Sequence, residues 1–356
     1  MMPGFPTRGV ANWAVAGVLA VGSFLPPPTA PVSAEPPELP SLTAASWILY
    51  DATADLVLAG SDIDTPRSMA SVTKIMTALV VRDNVSLDER TRISASAADV
   101  GEAEVGLVAG ERWSIEDLLY AIMVRSGNDA AYALAEHVAG SVSDFVGMMN
   151  AKVATMGLQN TSFANPHGLD AEGHYSSPRD LALMGAALLE DDVLARMART
   201  RRVAFKPAPD GTARMVGNTN HLLGVYPRVT GVKTGYTGRA GLVLVSALVT
   251  PERTLVGVVM GSDAHFDDSR ELLDYGLRLV TFRDRFDHWL VPEEGGGATA
   301  STTEGLGDEA SLVRLASVQP LSAVEGEGIS LGETTMGRML DARLRSLLPV
   351  VLGGTG

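Results

Sequence analysis

The chain has 356 residues, 46% of them hydrophobic, enough for one large domain with extensions and a sizeable core. Its formal net charge of -14 argues against a nucleic-acid partner, which asks for a basic face. The absence of cysteine excludes disulfides, thiol catalysis and cysteine-ligated metals, although a core of this size needs no disulfide to survive export.

Arg8 is the only charged side chain before Glu35. Val10 to Leu25 is mostly apolar, Pro26-Pro27-Pro28 closes the run, and Val32-Ser33-Ala34 offers a small-x-small cleavage site. Residues 1–34 therefore read as a secretory signal peptide. An uncleaved membrane anchor is the less favoured reading, because the apolar run is near the short end of what spans a bilayer. Either way, the rest of the chain is expected outside the cytoplasmic membrane. Residues 35–45 are a proline-rich spacer with little to build a core from.

From 46 to 290 the chain alternates apolar runs with turn signals. Ser46 to Tyr50 and Leu56 to Ala59 read as strands around the turn Asp51 to Asp55. Apolar residues dominate after Lys74 and no proline interrupts them, so Ser68 to Val81 reads as a buried helix with Ser68 as N-cap and Ser71 in the first turn. Ile93-Ser94 and Glu104 to Leu107 suggest short strands, with Gly101 and Gly110 as punctuation. Trp113 to Val124 has helical spacing, with Ser114 as N-cap and Asp117 three residues on. Helices are also expected near Asp129 to Val138, over Val142 to Met156, and from Pro178 to Leu189. Val229 to Val232 is a strand. Leu242 to Leu248 and Thr254 to Met260 form a hairpin, and Asp268 to Val280 is a closing helix. Strands at both ends with helices between predict one antiparallel sheet assembled from the two ends, an α+β fold.

Residues 291–356 read differently. Gly295-Gly296-Gly297 and Ser301-Thr302-Thr303 mark a linker. Thr335 to Leu348 sets Met336, Met339, Leu340, Leu344 and Leu347 against Arg338, Asp341, Arg343 and Arg345. Peripheral membrane contact through this stretch is weighed against a packing helix or a partly disordered tail, and the latter is favoured.

Three short motifs carry the chemistry. Ser71-Val72-Thr73-Lys74 opens the apolar helix and puts Ser71 and Lys74 on one face. A serine hydroxyl needs a base to become a nucleophile, and a lysine is a base only when burial or a second cation lowers its pKa. Ser126-Gly127-Asn128 sits in an interhelical turn, where such residues usually satisfy local backbone. Lys233-Thr234-Gly235 follows a strand. Each alone is common by chance. Together, in this order, they are far more specific. His167 and His174 invite a metal or base reading, but they have no partner cluster at ligand spacing, and a loop role is favoured. Asp170 and Asp180 read as loop and cap residues.

The three motifs, with the flanking stretches Ser68 to Thr77, Met123 to Ala131 and Gly231 to Thr237, resemble the D-alanyl-D-alanine carboxypeptidases. These are the low-molecular-weight penicillin-binding proteins of serine peptidase type. Asn165-Pro166-His167-Gly168-Leu169-Asp170, followed by Gly173-His174-Tyr175-Ser176, adds to the likeness, which spans roughly residues 40 to 285.

The resemblance implies a β-lactamase/transpeptidase-like fold. About five antiparallel strands carry helices on both faces, with an all-helical subdomain. It implies that Ser71 is acylated by the carbonyl of a D-Ala-D-Ala bond, with Lys74 as general base and Ser126 relaying the proton to the leaving amine. Asn128 would orient Lys74 and hold the substrate. Lys233 and Thr234 would bind the terminal carboxylate, and Gly235 would let the substrate lie close to the strand. The N–H groups of Ser71 and Tyr236 would form the oxyanion hole. The implied partners are peptidoglycan stem peptides ending in D-Ala-D-Ala, with β-lactams as covalent inhibitors. No metal or organic cofactor is implied.

Two positions depart from the family pattern. Tyr236 stands where His is frequent, and Asp263 to Asp268 lacks the usual basic residue, leaving His265 as its only candidate cation. Rival readings are a β-lactamase or D,D-endopeptidase on the same scaffold, or a silent peptidoglycan-binding envelope protein. The completeness of all three motifs argues against the silent one.

Overall fold

The computed structural model describes residues 36–290, so the expectations for residues 1–34 and 291–356 lie outside the described residues. In chain order the strands β1 (Ser46–Asp51) and β2 (Leu56–Ser61) precede the helix α1 (Lys74–Asn84). A small hairpin of β3 (Arg90–Arg92) and β4 (Arg112–Ser114) brackets α2 (Ala95–Ala98). There follow α3 (Ile115–Tyr120), α4 (Asn128–Ala139), α5 (Val142–Thr155), α6 (Pro178–Glu190) and α7 (Asp192–Ala198). A second small hairpin pairs β5 (Arg202–Phe205) with β6 (Arg214–Gly217). The chain closes with β7 (Val229–Thr237), β8 (Gly241–Val249), β9 (Thr254–Ser262) and α8 (His265–Leu290).

The five long strands form one antiparallel sheet in the order β2-β1-β9-β8-β7, joining the two ends of the domain as the strand pattern predicts. Alternation along the strands sorts two apolar faces. Ile48, Tyr50, Val243, Val245, Val256, Val258 and Met260 join the large core shared with α1, α4 and α6. Leu49, Leu244, Leu248, Leu255 and Val259 pack with Leu272, Leu273 and Leu279 of α8. Both faces are covered, so β8 and β9 read as nearly continuous apolar runs rather than alternating ones.

Several expectations need correction. Ser68 is not an N-cap: a 3-10 turn, Ala70–Thr73, precedes α1, with Met69 at its start and no side-chain cap. Glu104 to Leu107 is not a strand. The N–H groups of Val105 and Leu107 bind the buried Asp129 carboxylate at 3.0–3.2 Å, which substitutes for a ladder. The strand near Ile93 lies just before it, at Arg90–Arg92. Lys233-Thr234-Gly235 lies within β7 rather than after it. The helix from Ser114 is capped as expected, its hydroxyl accepting from Asp117 N–H, but it continues as a π-helical turn, Ala121–Arg125.

Asp129 also caps its own helix through Ala130 N–H at 2.8 Å. Removing a buried acceptor of this kind strands its donors. Asp129→Ala is expected to cost about 3 kcal/mol of unfolding free energy. Urea denaturation reads the loss, and a cost below ~1 kcal/mol contradicts it.

Candidate active site

Ser71 is presented by the 3-10 turn at the head of α1, not by a regular helical turn. The residue before it, Ala70, has φ +51, in the left-handed region. A non-glycine residue is held there only when its surroundings impose it. Two glycines do so. A Cβ on Gly168, whose φ is +96, would lie 2.1 Å from the Ala70 carbonyl oxygen and 2.9 Å from Ser71 Cα. A Cβ on Gly235 would lie 3.0 Å from Ser71 N and from Ala70 Cβ. The Ala70–Ser71 peptide is thus enclosed between the Asn165–Asp170 loop and β7. A side chain at 235 would crowd this protein contact.

Lys74 is fully buried and its Nζ meets three oxygens: Ser71 Oγ at 2.9 Å, Asn128 Oδ1 at 2.8 Å and the His167 carbonyl at 2.5 Å. Asn128 Nδ2 donates to Gly101 O at 3.1 Å, which turns Oδ1 toward the lysine. Burial holds the Lys74 pKa well below 10.5, and the charge of Lys233 lowers it further, against a smaller opposing pull from Asp129. A neutral Lys74 donates its two hydrogens to the amide and peptide oxygens. Its lone pair is then left facing the Ser71 hydroxyl, the arrangement a general base requires.

Lys233 is equally buried, and burial alone brings its pKa down to about 7. It shares a face of β7 with Gly235, the face aimed at the Ser71 turn. The Thr234 hydroxyl lies 2.7 Å from that of Thr219, whose N–H donates to the Val124 carbonyl beside the Ser126 turn. Tyr236 is 69% exposed at the mouth of the strand. Ser126 ends the π turn at φ +68, and its buried Oγ has no hydrogen-bond partner among the described residues. Ser71, Lys74, Asn128 and Lys233 are therefore brought together, and Ser126 lies two residues from the Asn128 that touches Lys74.

Other positions resolve as follows. Asp170 accepts from Thr237 Oγ1 at 2.8 Å and Arg239 N–H at 3.2 Å, tying the loop to the β7–β8 turn. Asp180 accepts from Asn160 N–H and the Thr161 hydroxyl, and Glu172 is exposed. The setting of His265 disfavours its charged form: burial lowers its pKa and the charge of His221 lowers it further, against a smaller opposing pull from Asp268, and its ring packs on Phe266 at 3.9 Å. Sequence reasoning missed the His167 carbonyl, Gly168 and Thr219, because a backbone oxygen, a close approach and a hydroxyl pair leave no pattern.

A family model described as D-alanyl-D-alanine carboxypeptidase matches residues 31–264. The chain belongs to that family. It is similar to the D-alanyl-D-alanine carboxypeptidase DacF of Bacillus subtilis (strain 168), 31% identical over 298 residues, covering 82% of this chain and 74% of the relative. It is 36% identical over 281 residues to DacC of Escherichia coli (strain K12), covering 73% and 68%. Among solved structures, the Streptomyces K15 DD-transpeptidase superposes with a TM-score of 0.64 at 31% identity, over 67% of this chain and 99% of that one. The chain is accordingly a serine-type D-Ala-D-Ala carboxypeptidase of the penicillin-binding protein family, with the transpeptidase-like α+β fold.

The two lysines set an expected pH profile. With Lys74 as the base for Ser71, kcat/KM is expected to rise with pH through its depressed pKa. If Lys233 captures the substrate carboxylate, as the family resemblance implies, it must be charged, and kcat/KM is expected to fall above about pH 7. In Lys233→Met the alkaline limb disappears and the acid limb moves to higher pH, because the cation that depresses Lys74 is gone. The same variant gains thermal stability. A lysine whose folded pKa is depressed holds its proton more tightly unfolded, so it destabilises the fold below the unfolded value near 10.5 and stability climbs as pH rises toward it. An unmoved acid limb or a lowered thermal midpoint contradicts this account.

Proposed function

We propose that this carboxypeptidase removes the terminal D-alanine from peptidoglycan stem peptides outside the cytoplasmic membrane, through an acyl-enzyme on Ser71. The stem peptide lies along the free edge of β7, with its terminal carboxylate at Lys233 and Thr234. Lys74 takes the Ser71 proton as Oγ attacks the carbonyl carbon of the D-Ala-D-Ala bond. The oxyanion is held by the N–H groups of Ser71 and Tyr236. Ser126 passes a proton to the leaving amine, the C–N bond breaks and D-alanine departs. Asn128 orients Lys74 and the substrate. Water, deprotonated by the same base, then releases the shortened peptide.

The observation that carries the proposal is the Lys74 amine, buried, its pKa held well below the usual lysine value, and 2.9 Å from Ser71 Oγ. A β-lactam presents a strained amide to the same serine and is proposed as a covalent inhibitor. Labelled penicillin tests the proposal. One slowly released adduct per molecule supports a carboxypeptidase. Rapid release of hydrolysed drug favours a β-lactamase, and cleavage of cross-linked peptide dimers favours an endopeptidase. Export rests on the signal-like pattern of residues 1–34. It predicts that protein recovered from the envelope begins at Glu35.

A further inference from the structure

The Ala70–Ser71 peptide has a third support besides the two glycines. Thr73 Oγ1 donates to the Ala70 carbonyl at 2.8 Å and lies 2.8 Å from His174 Nε2. His174 Nδ1 accepts from Ala164 N–H at 3.0 Å, which assigns the ring hydrogen to Nε2. The chain of donors then runs one way: Ala164 N–H to His174, His174 Nε2–H to Thr73, Thr73 O–H to the Ala70 carbonyl. Thr73 and His174 are buried, and Phe163 meets the imidazole edge-on at 5.9 Å. Burial brings the His174 pKa to about 4, so the ring stays neutral and keeps one donor and one acceptor. The histidine occupies a lone pair of the threonine and leaves its hydrogen for Ala70.

A peptide unit is planar, with C=O and N–H on opposite sides. The carbonyl side of this one faces Gly168 and Thr73. Its N–H side is the Ser71 nitrogen, which faces Gly235 and β7. Holding the carbonyl therefore aims the N–H.

We propose that Thr73 and His174 are positioning residues for the oxyanion hole, fixing the direction of the Ser71 N–H through the Ala70 carbonyl. The inference rests on the role proposed above for that N–H. It gives a function to a threonine inside the first motif and to a histidine of the Gly173-His174-Tyr175-Ser176 stretch that touch neither nucleophile nor base.

The test compares acylation of Ser71 by labelled penicillin in the full chain and four variants. Thr73→Val keeps the shape and removes the hydroxyl, and His174→Leu removes the donor. Thr73→Ser and His174→Gln preserve a hydroxyl and an Nε2–H at the same places. Outright loss of an oxyanion donor costs about 10²–10³-fold, and a misaimed donor costs part of that, about 10- to 100-fold. Thr73→Val and His174→Leu should each slow acylation by that factor, while labelling at completion still reaches one adduct per molecule. The double variant should be no slower than the worse single one, since both act on one chain of hydrogen bonds. Thr73→Ser and His174→Gln should stay within about threefold of the parent.

Acylation in Thr73→Val within about twofold of the parent overturns the inference. So does a fall in final labelling that accounts for the lost rate, or equal impairment in the conservative variants. If Thr73→Val does not fold, the His174 pair decides alone. Failure of the parent to label Ser71 at all sinks the reading of the site itself and is thereby told apart.

Discussion

Lys74→Met will slow acylation of Ser71 by about 10²–10⁴-fold, and Lys74→Arg will not restore it. The methionine keeps the bulk of the stem and removes the nitrogen that hydrogen-bonds Ser71 Oγ. Arginine brings back a cation but not a base, because its guanidinium does not give up its proton in a protein. The site is built to make lysine neutral. Burial is the larger cause of the depressed pKa, and the charge of Lys233 is the second. Two carbonyl acceptors, Asn128 Oδ1 and His167 O, then take the two remaining hydrogens. Stopped-flow acylation with a chromogenic penicillin measures the effect. Wild-type rates in Lys74→Met would assign the base elsewhere, and substantial recovery in Lys74→Arg would mean that the residue acts as a charge.

Gly168→Ala will inactivate the enzyme, whereas Gly173→Ala in the same stretch will not. Both glycines have positive φ, +96 and +73. Each alanine carries the left-handed strain of about 1–2 kcal/mol. They differ in what the new methyl meets. At 173 nothing lies within 4 Å. At 168 it would overlap the Ala70 carbonyl, a backbone group that cannot rotate away. Either the loop retreats, carrying the His167 carbonyl from Lys74, or the Ala70–Ser71 peptide turns and moves the N–H proposed as an oxyanion donor. Both routes damage catalysis, so D-alanine release should fall more than about 100-fold in the folded protein. Gly173→Ala should lose only thermal stability. Equal activity in the two variants contradicts the enclosure of the Ser71 peptide.

The chemistry was more legible in the sequence than the geometry that makes it work. Ser71, Lys74, Ser126, Asn128 and Lys233 stand in local motifs whose order is informative by itself. The sheet was legible because β1, β8 and β9 are apolar runs bounded by turn residues, and antiparallel pairing of the two chain ends follows from them. Long-range constraints were not. The strand reads as Val229 to Val232 with Lys233-Thr234-Gly235 after it, yet β7 runs on to Thr237. Ser68 reads as a cap, yet contacts from Gly168 and Gly235 impose a 3-10 turn with a left-handed Ala70. The hairpin Arg202–Phe205 with Arg214–Gly217 was missed because each strand is only four residues long, Arg-Val-Ala-Phe and Arg-Met-Val-Gly, too short to show a period. It is held by Phe205 against Trp113 and by Arg214 paired with Glu111 at 3.0 Å, partners about a hundred residues away. Thr73 and His174 belong to the same class, since their link spans 101 positions of sequence.

The central claim is an acyl-enzyme formed on Ser71 during D-alanine release. Its most direct measurement follows D-alanine from a pentapeptide ending in D-Ala-D-Ala, alongside mass spectrometry of the quenched protein. The account predicts steady release by the full chain, none by Ser71→Ala, and the acyl mass on the peptide that contains Ser71. Release that persists in Ser71→Ala, or an acyl group on any other residue, would contradict it.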